Sequence, residues 1–148
     1  MISIAILGHG VVGSGVAEVL MHNEKGITAK AGEQIRVTRI LDLRSFPDLP
    51  YADLFTTNFD DILNDEDIRI VVETMGGLHP AYDYVKASLL AGKSVVTSNK
   101  ELVAAKGDEL LQIAKDNNLN FLFEASVGGG IPILRPMDQC LAANEVFE

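Results

Sequence analysis

The stretch Ile2–Leu20, ISIAILGHGVVGSGVAEVL, constrains this chain more than any other. Ile2–Leu7 is almost wholly apolar and rich in β-branched residues, the pattern of a strand covered on both faces. Gly8-His9-Gly10-Val11-Val12-Gly13 follows without a break, a G-x-G-x-x-G turn. Val12, Val16, Val19 and Leu20 then recur at the spacing of one helix face. Glycine inside a helix costs about 1 kcal/mol relative to alanine, and both Gly13 and Gly15 fall inside this one. Helix formation therefore does not account for them.

Phosphate binding accounts for the spacing. Gly8 permits the tight turn from strand to helix, Gly10 lets the backbone approach a pyrophosphate, and Gly13 lets the helix lie close on the strand. The helix start adds free N–H groups and the positive end of the dipole. Gly8, His9, Gly10, Val11, Val12 and Gly13 are thus candidate cofactor-binding residues, with His9 acting through its backbone. The alternative is a plain glycine-rich turn.

Composition narrows the class. A chain of 148 residues with 47% hydrophobic and 22% charged residues is long enough for one globular domain that buries about 70% of its unfolded surface. A net charge of −9 argues against nucleic acid or an anionic membrane as the main partner. No apolar run reaches the roughly 18 residues that span a bilayer. The single cysteine, Cys140, excludes an internal disulfide and fits a reducing compartment; a buried structural thiol is its simplest reading. A soluble cytoplasmic domain is expected.

Strands and helices alternate along the rest of the chain. His22–Gln34 reads as a helix end and a polar surface connection. Ile35–Leu41 is the second strand, closed by Asp42, where an acid accepts hydrogen bonds from ribose hydroxyls in a Rossmann plan. Asp42 favours NAD because a carboxylate repels a 2′-phosphate; Arg44, two residues on, could serve that phosphate instead, or both could be turn residues. Phe59–Leu63 reads as a short helix and Ile68–Val72 as a buried strand ending in Glu73-Thr74-Met75-Gly76-Gly77. Strand carboxyl ends face the ligand in such sheets, which makes Thr74 and Gly76 candidate contacts. Pro80 opens a helix with Ala81, Val85 and Leu89 inward, and Gly92 ends it. Ser94–Thr97 is a strand followed by Ser98-Asn99-Lys100, with Asn99 as N-cap; Leu102–Lys115 is helical with a break at Gly107. Asn120–Ala125 reads as a strand. A last helix from Ile133 carries Leu134, Met137 and Leu141 inward, and Val146 and Phe147 open another strand. The sum is an α/β fold, a doubly wound parallel sheet of the Rossmann type.

Three stretches go beyond the generic pattern: VVETMGG (Val71–Gly77), GKSVVTSNKEL (Gly92–Leu102) and FEASVGGGIPIL (Phe123–Leu134). With the opening glycine turn, and in this order, they resemble the N-terminal half of homoserine dehydrogenase. The resemblance implies interconversion of aspartate semialdehyde and homoserine with NADP or NAD, on the route to threonine, methionine and isoleucine. It places Lys100 beside the nicotinamide and the substrate, in cofactor contact and proton transfer, with Ser98 and Asn99 next to it as further cofactor-binding candidates. It assigns Glu124, with the carbonyls of Val127, Gly129 and Ile131, to a cation, typically sodium, for which a carboxylate and several carbonyls are suitable donors.

The resemblance also implies a homodimer for the complete enzyme, assembled largely outside this part, and a substrate domain with the principal acid–base residues beyond residue 148. Leu41 stands where many members carry an arginine that meets a 2′-phosphate, which weighs against NADP. For Lys100 the plain alternative is a solvated surface lysine, and for Glu124 an acid at a helix N-terminus. His79 reads more simply as a turn or cap residue than as an acid–base group. No His/Cys cluster has zinc spacing. Two further readings of the chain are a stand-alone NAD(H)-sensing domain and another two-domain oxidoreductase, to which AGKSVVTSNK is also similar.

Overall fold

The computed structural model describes residues 1–140, without the side chains of Asp138 and Cys140. Among the described residues six strands form one parallel sheet: β1 (Ile2–Leu7), β2 (Ile35–Leu41), β3 (Phe55–Thr56), β4 (Ile68–Glu73), β5 (Ser94–Thr97) and β6 (Phe121–Leu122). Their order is β3-β2-β1-β4-β5-β6. The helices are α1 (Val11–His22), α2 (Glu24–Ala31), α3 (Asp60–Leu63), α4 (Ala81–Leu90), α5 (Lys100–Asp116), α6 (Glu124–Val127) and α7 (Leu134–Cys140). The chain winds outward from β1 in both directions, the doubly wound plan expected. Among the described residues no helix is long and apolar enough to cross a membrane.

Strand alternation divides the core between the two faces of the sheet. Ala5 and Leu7 join Val71, Val85, Leu89, Leu102 and Leu110 on the side of α4 and α5. Ile6, Val37 and Ile40 join Ala17 on the side of α1. The stripe expected on α4 is present: Ala81, Val85 and Leu89 are all fully buried, and Gly92 follows with φ +80°. Pro80 sits just before α4, as its N-cap.

Several elements differ from their sequence reading. The inward face of α1 is Gly13, Val16, Ala17 and Leu20, whereas Val12 and Val19 are about half exposed. The helix lies closest to the sheet at its start, where only Gly13 fits beneath it. A polar connection was expected at His22–Gln34, but Glu24–Ala31 forms α2, which buries no residue and so leaves no hydrophobic period to read. Helix α5 runs unbroken through Gly107, whose missing side chain faces Val103 in ordinary contact. Strand β6 stops at Leu122 because Glu124 turns into α6. Met137 is exposed rather than inward; Leu141, Val146, Phe147 and the Cys140 thiol lie outside the described residues.

The two glycines of α1 separate cleanly. A Cβ on Gly13 would stand 1.9 Å from the Gly8 carbonyl oxygen and 2.8 Å from Thr74 Oγ1, while one on Gly15 meets nothing within 4 Å. Gly13→Ala is expected to lower stability by about 3 kcal/mol. Gly15→Ala is expected to raise it by about 0.5–1 kcal/mol. Urea unfolding of both variants measures the contrast.

Candidate functional site

Chain connections leave β1 and β4 toward opposite faces of the sheet, so a crevice opens beyond their carboxyl ends. A cleft of about 510 Å³ lies there. Gly8, His9 and Gly10 line it from the turn after β1, Asp42 and Arg44 from the end of β2, and Thr74, Met75 and Gly76 from the end of β4. Pro80 and Tyr84, with Leu41, Leu43 and Thr57, complete the wall. An adjoining hollow of about 400 Å³ shares Asp42 and Arg44 and is bounded by Phe46, Pro47 and Phe55.

The glycine turn has the geometry its spacing requires. Gly8 adopts φ +95°, and a side chain there would press on Met75 at 3.1 Å. Gly10 precedes α1 in extended conformation, caps it with no side chain and faces open space. Val11 is 93% exposed, so the first N–H groups of α1 are open to a ligand. The hydroxyl of Thr74 lies 3.0 Å from the carbonyls of both Leu7 and Gly8, tying the end of β4 to the turn.

Asp42 is the most heavily bonded acid of the cleft. Its Oδ2 accepts from the His9 backbone N–H at 2.8 Å and from Arg44 Nη2 at 2.9 Å. Its Oδ1 accepts from Arg44 N–H at 2.9 Å and Nε at 3.0 Å. Arg44 also donates to the His9 carbonyl at 2.9 Å. The Arg44 side chain holds the Asp42 carboxyl well below the usual carboxylate range. His9 is buried against Phe46 and Phe55, its Nε2 is 3.2 Å from the Tyr51 hydroxyl, and burial lowers its pKa. Its Nδ1 has no partner among the described residues. The imidazole therefore serves packing, and its backbone joins the glycine turn to Asp42.

Ser98, Asn99 and Lys100 stand at the same edge of the sheet, beyond Gly77. Asn99 is buried and caps α5, accepting from Leu102 N–H at 3.1 Å and donating to the Gly77 carbonyl at 2.6 Å. Its side chain has a structural task and places Lys100, which is exposed at the first position of α5. Sequence reasoning missed Glu73. This carboxylate, fully buried at the end of β4, accepts from the N–H groups of Met75 and Gly76 and from the Thr97 hydroxyl. Its signal was an acid continuing an apolar strand without a break. His79 bonds Asp83 at 2.8 Å on the exposed start of α4.

Glu124, Val127, Gly129 and Ile131 do not line this cleft. The Glu124 carboxylate accepts from the backbone N–H groups of Ile133, Leu134 and Arg135 at 2.6–2.8 Å. Those bonds, that of Ile133 foremost, hold it below the usual carboxylate range. This is the acid at a helix start; a carboxylate already gathering three donors is poorly suited to a cation, and the sodium site gains no support.

Known proteins fit this geometry. A family model described as homoserine dehydrogenase, NAD binding domain, matches residues 8–124. A homoserine dehydrogenase of Bacillus subtilis is 36% identical over 98% of this chain and 34% of its own length. The crystal structure of a homoserine dehydrogenase from Thiobacillus denitrificans superposes with a TM-score of 0.90 at 42% identity, covering 97% of this chain and 34% of that one. A hyperthermophilic archaeal homoserine dehydrogenase in complex with NADPH gives a TM-score of 0.76 at 27% identity, covering 92% and 47%. The chain thus spans about a third of the length of the curated relatives it matches.

The depressed Asp42 pKa carries a sign. Its contribution to stability is full above the unfolded value of about 3.9 and is lost as pH falls toward the folded one. Asp42→Asn is expected to be less stable than wild type between about pH 5 and 8, with the gap narrowing below about pH 4. Urea unfolding of both proteins across that range checks it.

Proposed function

The chain belongs to the family of homoserine dehydrogenase NAD-binding domains, and from that premise we propose that it is the cofactor-holding part of an enzyme interconverting L-homoserine and L-aspartate 4-semialdehyde. The observation that carries this reading is the cleft at the switch point. There the glycine turn, Asp42 with Arg44, and the Thr74–Gly76 turn converge beside the open start of α1. The reading assigns the substrate-holding residues to the part of the relatives that this chain does not cover.

When bound, the dinucleotide supplies or accepts the hydride; the residues of this chain bind and orient it. Gly8–Gly13 and the start of α1 hold the pyrophosphate by backbone N–H groups. Asp42 receives the ribose hydroxyls of the adenosine half. Thr74 and Gly76 bound the nicotinamide half, together with Ser98 and Lys100. A cation at the first position of a helix opposes the helix dipole, so Lys100 is better explained by a partner it meets in the complete enzyme: the cofactor, or the oxygen that gains or loses a proton. The ionised Asp42, already paired with Arg44, favours NAD over NADP. Sodium has no part in the proposal. A homodimer and a cytoplasmic location for the complete enzyme rest on the family resemblance.

Calorimetric titration of this chain with NAD and NADP tests the reading. Wild type is expected to bind, with NAD preferred. Gly10→Val, whose added atoms meet no protein neighbour at Cβ, is expected to fold and to lose binding. Asp42→Ala, which removes the repulsion and releases Arg44, is expected to move the preference toward NADP. A folded wild type that binds neither dinucleotide would overturn the reading.

A further inference from the structure

Glu73 is fully buried at the end of β4, and the functions assigned above leave its carboxylate unused. Among the described residues no cation pairs with it. A buried charge without a counter-ion is costly unless hydrogen bonds replace the lost water. Three donors do so here. Oε1 accepts from Met75 N–H at 2.7 Å and Gly76 N–H at 3.3 Å, and Oε2 accepts from Thr97 Oγ1 at 2.5 Å.

The bonds do not stop at Glu73. Strand register sets Thr97 of β5 directly beside it. The Thr97 hydroxyl oxygen accepts from Asn99 N–H at 2.9 Å, and the Asn99 amide donates to the Gly77 carbonyl at 2.6 Å. Gly77 follows Gly76, so the path returns to its origin. Glu73, Thr97, Asn99 and the Met75–Gly77 backbone form one closed ring, in which the three side chains belong to residues 0%, 1% and 5% exposed.

Strand pairing does not require such a ring. Backbone bonds already join β4 to β5, and well-packed apolar residues can replace buried charged networks without loss of stability. What the ring does is fix the turn after β4 against the start of α5. In a sheet of this order the adenosine half of a dinucleotide lies toward β2, where Asp42 is, and the nicotinamide half toward β4 and β5. The two segments that the ring joins are the ones on the nicotinamide side.

We propose that Glu73 is a positioning residue for the nicotinamide half of the cofactor, holding the Thr74–Gly77 turn and the Ser98–Lys100 helix start in one geometry through Thr97 and Asn99. The proposal rests on the dinucleotide reading above. It acts on one half of the ligand, which makes it separable from a general loss of structure.

The test titrates the chain with ADP, which carries only the adenosine and pyrophosphate portion, and with NADH and NADPH. Thr97→Val removes the hydroxyl that joins the two sides of the ring at nearly constant volume; Thr97→Ser restores it. ADP affinity is expected to stay within about twofold in both variants, while affinity for the preferred reduced dinucleotide falls about tenfold in Thr97→Val and recovers in Thr97→Ser. Glu73→Gln, which takes the carboxylate acceptor from the Thr97 proton, is expected to lose affinity in the same direction. If Glu73→Gln does not fold, the two Thr97 variants decide. Equal weakening of ADP and dinucleotide, or no change in either, in a folded Thr97→Val overturns the proposal. Failure of both Thr97→Val and Glu73→Gln to fold overturns it too, by assigning the ring to stability. A folded wild type that binds none of the three nucleotides overturns the dinucleotide reading itself, and the Glu73 proposal with it.

Discussion

The approach of α1 to the turn after β1 is the contact on which the carboxyl edge of the sheet depends. At Gly13 the helix meets the Gly8 carbonyl with no room for a methyl group. That contact and the left-handed Gly8 together fix where the N-terminus of α1 points. The Thr74 hydroxyl is wedged against the same carbonyls, so the end of β4 is placed by the same constraint. Once those three segments are set, the crevice between them follows from the strand order.

Charge at this edge is handled by local pairing. Asp42, Glu73 and Glu124 each spend their carboxylates on backbone N–H groups, and Asp42 adds the Arg44 guanidinium. At the opposite edge the buried Lys93 does the converse, donating to the carbonyls of Asp65 and Ile68. Burial lowers its pKa, and those two oxygens are what it holds. A net charge of −9 therefore says little about the cleft. The two carboxylates nearest it are already compensated, and the open N–H groups of α1 stand beside them. An acidic chain can in this way keep a local site for an anionic ligand.

Legibility in the sequence followed the kind of force involved. Apolar periodicity revealed β1, β2, β4, β5 and the buried stripe of α4, because those elements are held by burial. It failed at α2, which buries nothing, and was half right on the inward face of α1, where Val16 and Leu20 pack inward but Gly13 and Ala17 stand in place of Val12 and Val19. Caps were legible one residue at a time: Asn99 was read correctly because its task is local. Glu73 was not, because its hydroxyl partner Thr97 lies on the next strand, and at Glu124 the cation and helix-start readings both stayed open because its partners lie nine to eleven residues away. Of the cleft lining, Gly8, His9 and Gly10 were legible through the glycine pattern and Asp42, Arg44, Thr74 and Gly76 through their places at strand ends, whereas Met75, Pro80 and Tyr84 were not read as lining and Ser98, Asn99 and Lys100 lie outside it. Which polar atoms remain free in that cleft was not legible.

That last distinction bears on cofactor choice. A carboxylate offers about four acceptor positions, and at Asp42 the His9 backbone takes one and Arg44 the other three. A ribose hydroxyl that reaches Asp42 must therefore replace a bond already made, so the gain is an exchange. With two free hydroxyls the exchange leaves Asp42 satisfied and the exposed Arg44 returned to water, which is a small loss for a surface ion pair. With a 2′-phosphate in place of one hydroxyl, Arg44 gains a strong partner, but Asp42 keeps only its backbone donors beside a second anion. The buried member of the pair is the one stranded. Because the carboxylate is 10% exposed and the guanidinium 61%, the balance of desolvation falls on Asp42, and this is the physical ground for the proposed preference for the cofactor without the phosphate.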